Sequence, residues 1–267
     1  MLVLKNVTKK YGNATALAGA SLRVDPAEFV CLAGSAGAGK SVLLHLLVGA
    51  VTPTTGSVLV DGVDLRAIPQ PAMQLYRRRV GMMFQDRKLL PHRTVAENLS
   101  FPLEVTGSTD RLIRARVPAL LAYLGLSEKA NAFPRECTPF EQAKLALARA
   151  VIHKPAILLV DEPWTELNAA ESHAILALLR EMESVGTTVI LAVRDPSLLA
   201  DAPGVRTVTL ERGRIVADTK KEVAAPDTET PPADAAKIQE LLTREKVQET
   251  QRNIAGAKVK ITSIGAL

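Results

Sequence analysis

Short apolar runs punctuate the chain at two different rhythms. Residues 2–7, 20–24 and 57–60 alternate or cluster apolar side chains between turn signals, which predicts antiparallel strands. Residues 28–33, 156–160 and 187–193 are largely continuous apolar runs, as in strands buried on both faces of a parallel sheet. Between these runs the apolar spacing predicts helices over 40–47, 141–151 and 171–182. Alternation of strand, turn and helix builds an open α/β sheet. The segment from about 89 to 149 carries helical pieces, such as 111–124, but no convincing buried strand, so it reads as a helical insertion. Beyond residue 217 the character changes. KKEVAAPDTETPPADAA is charged and Pro-rich, the composition of a linker, and 234–253 reads as a helix with a thin apolar stripe. The last residues, KVKITSIGAL, have the composition of a strand.

Bulk composition narrows this picture only slightly. A chain of 267 residues suits one α/β domain with an extra piece. Hydrophobic residues make up 47% and aromatics only 3%, so the core is aliphatic. A formal charge of +5 permits contact with an anionic surface without demanding it, and the densest basic cluster, Arg77 to Arg79, reads as a solvated helix face. The two cysteines, Cys31 and Cys137, lie far apart without metal-ligand spacing, which suits a reducing compartment. The N-terminus is a short strand pattern followed by charge rather than a leader peptide. No stretch approaches the roughly 18 apolar residues of a membrane span. The expectation is a chain that reaches a membrane only through a partner.

Two motifs carry chemistry. GSAGAGKS at 34–41 matches the P-loop pattern G-x-x-x-x-G-K-[ST], and a chance match in a chain this long is on the order of one in a hundred. It follows a strand pattern and opens a helix pattern. Gly34, Gly37 and Gly39 let the backbone turn so that the N–H groups of Ser35, Ala36, Ala38 and their neighbours face a phosphate. The helix N-terminus adds partial positive charge. Lys40 has the reach for the β- and γ-phosphates, and the Ser41 hydroxyl is a ligand for Mg²⁺. ILLVDEP at 157–163 supplies a buried strand ending in Asp161, which can hold Mg²⁺, and in Glu162, which is placed to polarise an attacking water as general base.

Together these elements resemble the ATP-binding subunit of an ABC transporter over roughly residues 1–218. That resemblance implies an α/β ABC-type P-loop NTPase: a mixed core sheet, an antiparallel β subdomain and a helical subdomain, here with a C-terminal extension. The resemblance implies a nucleotide-binding domain at 1–218, whose helical subdomain spans about 87–148; beyond it, composition gives a Pro-rich linker at 219–236 and an extension at 237–267. Tyr11 lies where the family stacks an aromatic on adenine, and Gln85 lies where it contacts Mg²⁺ and the attacking water. Ala148–Ala150 matches the end of the family's signature helix. The stretch FQDRKLLPHRTVAENLSFPLEVTG at 84–107, with its Phe-Gln-Asp, Leu-Leu and Thr-Val-x-x-Asn, is similar to the FtsE cell-division family, as is KANAFP at 129–134. The resemblance implies ATP and Mg²⁺ as cofactors and an integral membrane FtsX-like partner. It also implies a dimer with itself or a second ABC subunit, and a cytoplasmic, membrane-peripheral location.

Departures from the family pattern concentrate in groups that act across a dimer or sense the γ-phosphate. Aligned on Glu141-Gln142, the signature LSGGQ or LSGGE reads Cys137-Thr138-Pro139-Phe140. Thr138 keeps a hydroxyl, whereas Pro139 has no N–H to donate. Losing one such donor can cost about 3 kcal/mol of transition-state stabilisation. The D-loop aspartate is Asn168, Trp164 replaces a small residue, and the switch histidine is Arg194, which is always charged and cannot shuttle a proton. Val42 replaces the threonine that usually follows the P-loop serine. Thr138-Pro139-Phe140-Glu141 is nevertheless a sound capping box with Pro at the first helical position. Two readings therefore stay open. One is an FtsE-like ATPase with slow or partner-dependent hydrolysis; the other is a non-hydrolysing ATP-binding module or the degenerate half of an ABC heterodimer, including a lipid or lipoprotein exporter. A nucleic-acid role is not expected, since no basic–aromatic stripe or long coiled coil occurs.

Overall fold

The alternating runs assemble first into an antiparallel sheet. β1 (Leu2–Tyr11) pairs with β2 (Ala14–Val24) on one side and β4 (Thr55–Val60) on the other, and the short β5 (Val63–Asp64) closes the order β2-β1-β4-β5. The continuous runs become the interior of a second, six-stranded sheet. β3 (Phe29–Ala33), β7 (Ile157–Asp161) and β8 (Thr188–Val193) have every residue buried, as a sheet covered on both faces requires. The structure is a computed structural model and describes residues 1–199 and 204–220. The tail expectations from residue 221 onward, including the helix and the final strand, lie outside the described residues.

Besides the two-residue β5, three strands escape the pattern reading. β6 (Val80–Met83) is four residues long, too short to display a period, and contains Gly81. A Cβ at Gly81 would meet the carbonyl oxygen of Ala150 at 2.2 Å, so the glycine serves a close backbone approach that composition alone disguises. β9 (Arg206–Glu211) and β10 (Arg214–Asp218) form a hairpin at the sheet edge. The sheet order is β10-β9-β3-β8-β7-β6, in which all neighbours are parallel except the β9–β10 pair.

Helices cover this sheet and extend beyond it. α1 (Lys40–Leu47) packs in the cluster shared by the two sheets, beside Leu4, Leu22, Leu32 and Leu159. α2 (Gln70–Arg77) leads into β6, and its Tyr76 donates to the carbonyl of Leu47. α3 (Val95–Val105) and α4 (Asp110–Tyr123) build a separate apolar cluster with α5 (Pro139–Val151). α5 is the shared beam: Ala143, Ala146 and Leu147 face the cluster on the core sheet, whereas Leu145 and Ala148 face the α3–α4 cluster. α6 (Ala169–Ser184) adds Ile175 and Leu179 to the sheet side. Among the described residues no helix is long and apolar enough to cross a membrane.

The Thr-Val-x-x-Asn stretch acquires a physical meaning. Thr94 caps α3, with a reciprocal bond between its backbone N–H and Glu97, and Asn98 is fully buried. Asn98 Oδ1 accepts from Leu90 N at 2.8 Å, while Nδ2 donates to the carbonyls of Leu90, Arg93 and Thr94 at 3.0–3.1 Å. One amide thereby satisfies the turn that joins β6 to α3. Asn98→Ala leaves those buried backbone groups unpaired and is expected to destabilise the chain by about 3 kcal/mol. The measurement is the urea midpoint, which should fall at an unchanged m-value; an unchanged midpoint would show that the turn is held by something else.

Candidate functional site

The polar residues gather where the parallel strands end. Val160 of β7 is level with Leu191 of β8 and with Met83 of β6, so Glu162 and Gln85 each lie two residues beyond a paired position. Ala33 of β3 is level with Val193, the residue before Arg194. Register alone thus brings the P-loop, Arg194, Glu162 and Gln85 to one rim of the sheet. Crevices at the carboxyl ends of such strands are the usual ligand sites of open α/β sheets.

The loop after β3 is built for close backbone contact. Ser35, Ala36 and Gly37 form its exposed tip, while Ala38 and Gly39 are buried beneath. Gly39 caps α1 at φ 105°, and a Cβ there would meet the carbonyl oxygen of Ala16 at 2.5 Å. The carbonyl of Ala38 accepts from Gly213 N at 3.0 Å, so the β9–β10 turn braces the loop from below. Val42 packs against the core cluster, which accounts for an apolar residue following Ser41. Tyr11 stands at the tip of the β1–β2 hairpin, 49% exposed, with the Lys9 ammonium 4.9 Å from its ring centroid.

Three donors converge on Glu162. Arg194 Nε lies 2.7 Å and Gln85 Nε2 3.2 Å from Oε2, and Lys40 Nζ lies 3.5 Å from Oε1. Lys40 is nearly fully buried and also donates to the carbonyls of Gly34 and Ser35, at 2.6 and 3.0 Å. Glu162 itself has φ 44°, the left-handed conformation uncommon for a non-glycine residue, and its N–H donates to the carbonyl of Ala192. Asp161, one residue earlier, points elsewhere. It is buried, hydrogen-bonded to Ser41, and its Oδ1 has no hydrogen-bond partner among the described residues. Burial raises its pKa above the usual carboxylate value, and the neighbouring Glu162 charge adds to this against the opposing Ser41 bond. An orphaned buried carboxylate oxygen beside a hydroxyl is a donor set that fits a hard divalent cation.

The signature region behaves differently from the rim. Thr138 Oγ1 accepts from Glu141 N at 3.2 Å, and Glu141 Oε2 accepts from Thr138 N at 2.8 Å. Gln142 Nε2 donates to the carbonyls of Pro134 and Cys137, at 3.1 and 3.0 Å. These polar groups are therefore engaged within their own subunit, and the helix start expected at Thr138 and Pro139 is in place. Phe140 and Trp164 both pack against the core-sheet cluster. Asn168 is the N-cap of α6 in a capping box with Glu171, a role that asparagine and aspartate fill equally well.

The family described as ABC transporter matches residues 17–165. The cell division ATP-binding protein FtsE of Streptococcus pneumoniae serotype 2 (strain D39 / NCTC 7466) is 39% identical over 222 residues, covering 83% of this chain and 96% of that protein. The chain belongs to the ABC transporter family of ATP-binding proteins, in its FtsE branch. FtsE of Mycobacterium tuberculosis (strain ATCC 25618 / H37Rv) is 38% identical over 229 residues, covering 85% of this chain and 99% of that protein. Among solved structures, the dimeric post-hydrolysis state of the ATP-binding cassette MJ0796 bound to ADP and Pi has a TM-score of 0.75 at 29% identity, covering 82% of this chain and 97% of that one. The mixed α/β fold expected from the motifs is the ABC fold found here.

One residue of this ABC site went unseen in the sequence. Arg87, only 9% exposed and at φ 58°, donates to the carbonyl of Thr165 at 2.8 Å and approaches Gln142 Oε1 at 3.3 Å and Glu166 Oε2 at 3.4 Å. Its own carbonyl accepts from Arg149 at 2.9 Å. It ties the loop after Gln85 to the start of α5 and to the segment after Glu162. An arginine beside Asp86 and Lys88 looks like surface charge, and only the packed structure reveals the clamp.

Asp161 sets a stability trade. Its raised pKa means that the folded chain disfavours the ionised form, so the charge subtracts from stability at pH above that pKa, and the penalty fades as pH falls through it. Asp161→Asn is expected to raise the thermal midpoint of the ligand-free chain by roughly 2–4 °C at neutral pH, for about 1 kcal/mol in a chain of this size. The gain over wild type should shrink in acid. Calorimetry at two pH values checks both points, and a lower midpoint for the variant would overturn the assignment.

Proposed function

We propose that the chain is the ATP-binding subunit of an FtsE/FtsX-like complex. It binds Mg-ATP at residues 34–42, dimerises with itself or a second ABC subunit, and signals to an integral membrane FtsX-like partner in cell division. In this reading it sits on the cytoplasmic face of the membrane through that partner, with the segment at about 87–148 as its helical subdomain. The observation that carries the reading is the convergence of Lys40, Gln85, Glu162 and Arg194 on one sheet rim, in a chain 39% identical to FtsE. The loop N–H groups and the N-terminus of α1 bind the phosphates, and Lys40 contacts the β- and γ-phosphates. Ser41, Asp161 and Gln85 are the residues that hold Mg²⁺, which when bound neutralises charge developing on the phosphate oxygens. Glu162 orients the attacking water and takes its proton.

Hydrolysis in this reading is slow or partner-dependent. Pro139 occupies the first position of α5 and has no N–H, and the hydroxyl of Thr138 is already the cap of that helix. The same observation favours a second reading, an ATP-binding module without turnover or one half of a heterodimer whose other subunit supplies an intact signature. Lys40→Ala is expected to weaken ATP binding by roughly 100-fold, because it removes the charge-assisted donor buried in the loop. With the purified membrane partner, wild type should turn over ATP faster than Glu162→Gln. Equal rates would leave the binding module standing and remove the ATPase, while unchanged ATP affinity in Lys40→Ala would remove the site.

A further inference from the structure

Two segments leave the sheet rim side by side. Met83 of β6 is level with Val160 of β7, so residues 84–88 and 161–166 run on from paired positions. Both pass through left-handed non-glycine residues: Arg87 at φ 58° and Lys88 at 46° in one, Glu162 at 44° and Glu166 at 69° in the other. Side chains disfavour that conformation, so it persists only where surrounding bonds hold it. Arg149 holds the first segment, donating to the carbonyls of Lys88 and Arg87 at 2.7 and 2.9 Å. Arg87 holds the second. Its Nη2 donates to the Thr165 carbonyl at 2.8 Å, and the Thr165 hydroxyl donates to the Glu162 carbonyl at 3.2 Å. Gln85, two residues before Arg87, donates to the Glu162 carboxylate at 3.2 Å. The contacts close a ring that runs from Gln85 to Glu162, Thr165 and Arg87, and back along the chain.

We infer that Arg87 is a positioning residue for Glu162, fixing the backbone that carries the carboxylate, a role that rests on the ATPase reading above. The hydrogen bonds of its side chain go to Thr165, Gln142 and Glu166, and among the described residues none goes to the phosphate loop. With the ring closed, Glu162 is held at its carbonyl through Thr165 and at its side chain by Gln85. Without Arg87 the carboxylate keeps its side-chain partners, but the backbone beneath it is held at one point fewer. A base that must meet a water in line loses much of its effect from a displacement of about 1 Å. The contacts of the guanidinium are unequal. Glu166 is 65% exposed and 3.4 Å away, so that ion pair contributes little. The bond to the Thr165 carbonyl comes from a side chain only 11% exposed. The planar fork, rather than the charge, does the holding, and a lysine ammonium cannot reproduce it.

Trp164, the one tryptophan of the sequence, lies between Glu162 and Thr165 and packs against the core-sheet cluster, so its emission reports on this segment. Acrylamide quenching of Trp164 in the full chain should rise about twofold in Arg87→Met, which keeps the apolar stem, and by a similar amount in Arg87→Lys. Glu166→Gln should leave quenching at the wild-type level. With the purified membrane partner, Arg87→Met should lower kcat about tenfold while KM stays within about twofold of wild type. In a Glu162→Gln background the same change should cost nothing further, since the group it positions is gone. Thr165→Val removes the hydroxyl link at an exposed position and should lose about threefold in kcat; it serves as the test if Arg87→Met does not fold. Unchanged quenching in Arg87→Met, full recovery in Arg87→Lys, or an equal loss of kcat with and without the Glu162 carboxylate would overturn the assignment. A wild type that turns over no ATP would instead sink the ATPase reading, and the quenching series would still decide whether Arg87 fixes the segment.

Discussion

A sheet covered on both faces tolerates polar side chains only where its strands end, and the site depends on that constraint. β3, β7 and β8 carry no exposed residue along their lengths. Every group able to bind charge is therefore pushed to the strand termini, where backbone groups also run out of ladder partners. Parallel pairing then places the carboxyl ends of neighbouring strands side by side. Asp161 and Glu162, Gln85, Arg194 and the phosphate loop are neighbours because β7, β6, β8 and β3 are parallel and in register. The buried orphan oxygen of Asp161 and the left-handed backbone of Glu162 are local tensions that this arrangement holds in place.

α5 is the second organising element, because it belongs to two apolar clusters at once. Its N-terminus is closed by Thr138 and Glu141, and the turn before it is closed by Gln142. Arg87 and Arg149 then fasten that helix to the loop beyond Gln85. Motion of α5 relative to the sheet rim must break these charge-assisted bonds as well as shift its apolar contacts with the core sheet. Phe140 and Trp164, which look like damage when set beside a glycine-rich signature, are packed against the core-sheet cluster. Asn168 likewise serves as a helix cap. The departures from the family pattern are locally well-made structure, and that is compatible with a changed role across the dimer.

The legible features were those whose cause is local. Continuous apolar runs gave away β3, β7 and β8, and 3.6-residue spacing gave away α1, α4 and α6. The capping box at Thr138 was readable because its two bonds join residues three apart in the chain. β6 was not readable, since four residues containing a glycine show no period and the glycine answers to the distant Ala150 carbonyl. The β9–β10 hairpin is an edge whose half-exposed residues imitate a loop.

The sequence by itself determined the buried strands and most of the helices, the phosphate loop, the Asp161-Glu162 pair and the family, because each is written in residues close together along the chain. Tertiary structure alone decided what those residues touch. That Arg194 and Lys40 both face Glu162, that Gln85 reaches it from another strand, and that Arg87 is a buried clamp all depend on strand register and helix packing. Such contacts join positions up to 122 residues apart (Lys40 to Glu162), and no local pattern encodes them. The physical reason is that burial chooses the register. A strand shifted by one residue would turn its apolar side chains to the wrong face, so the core decides which charges meet at its rim.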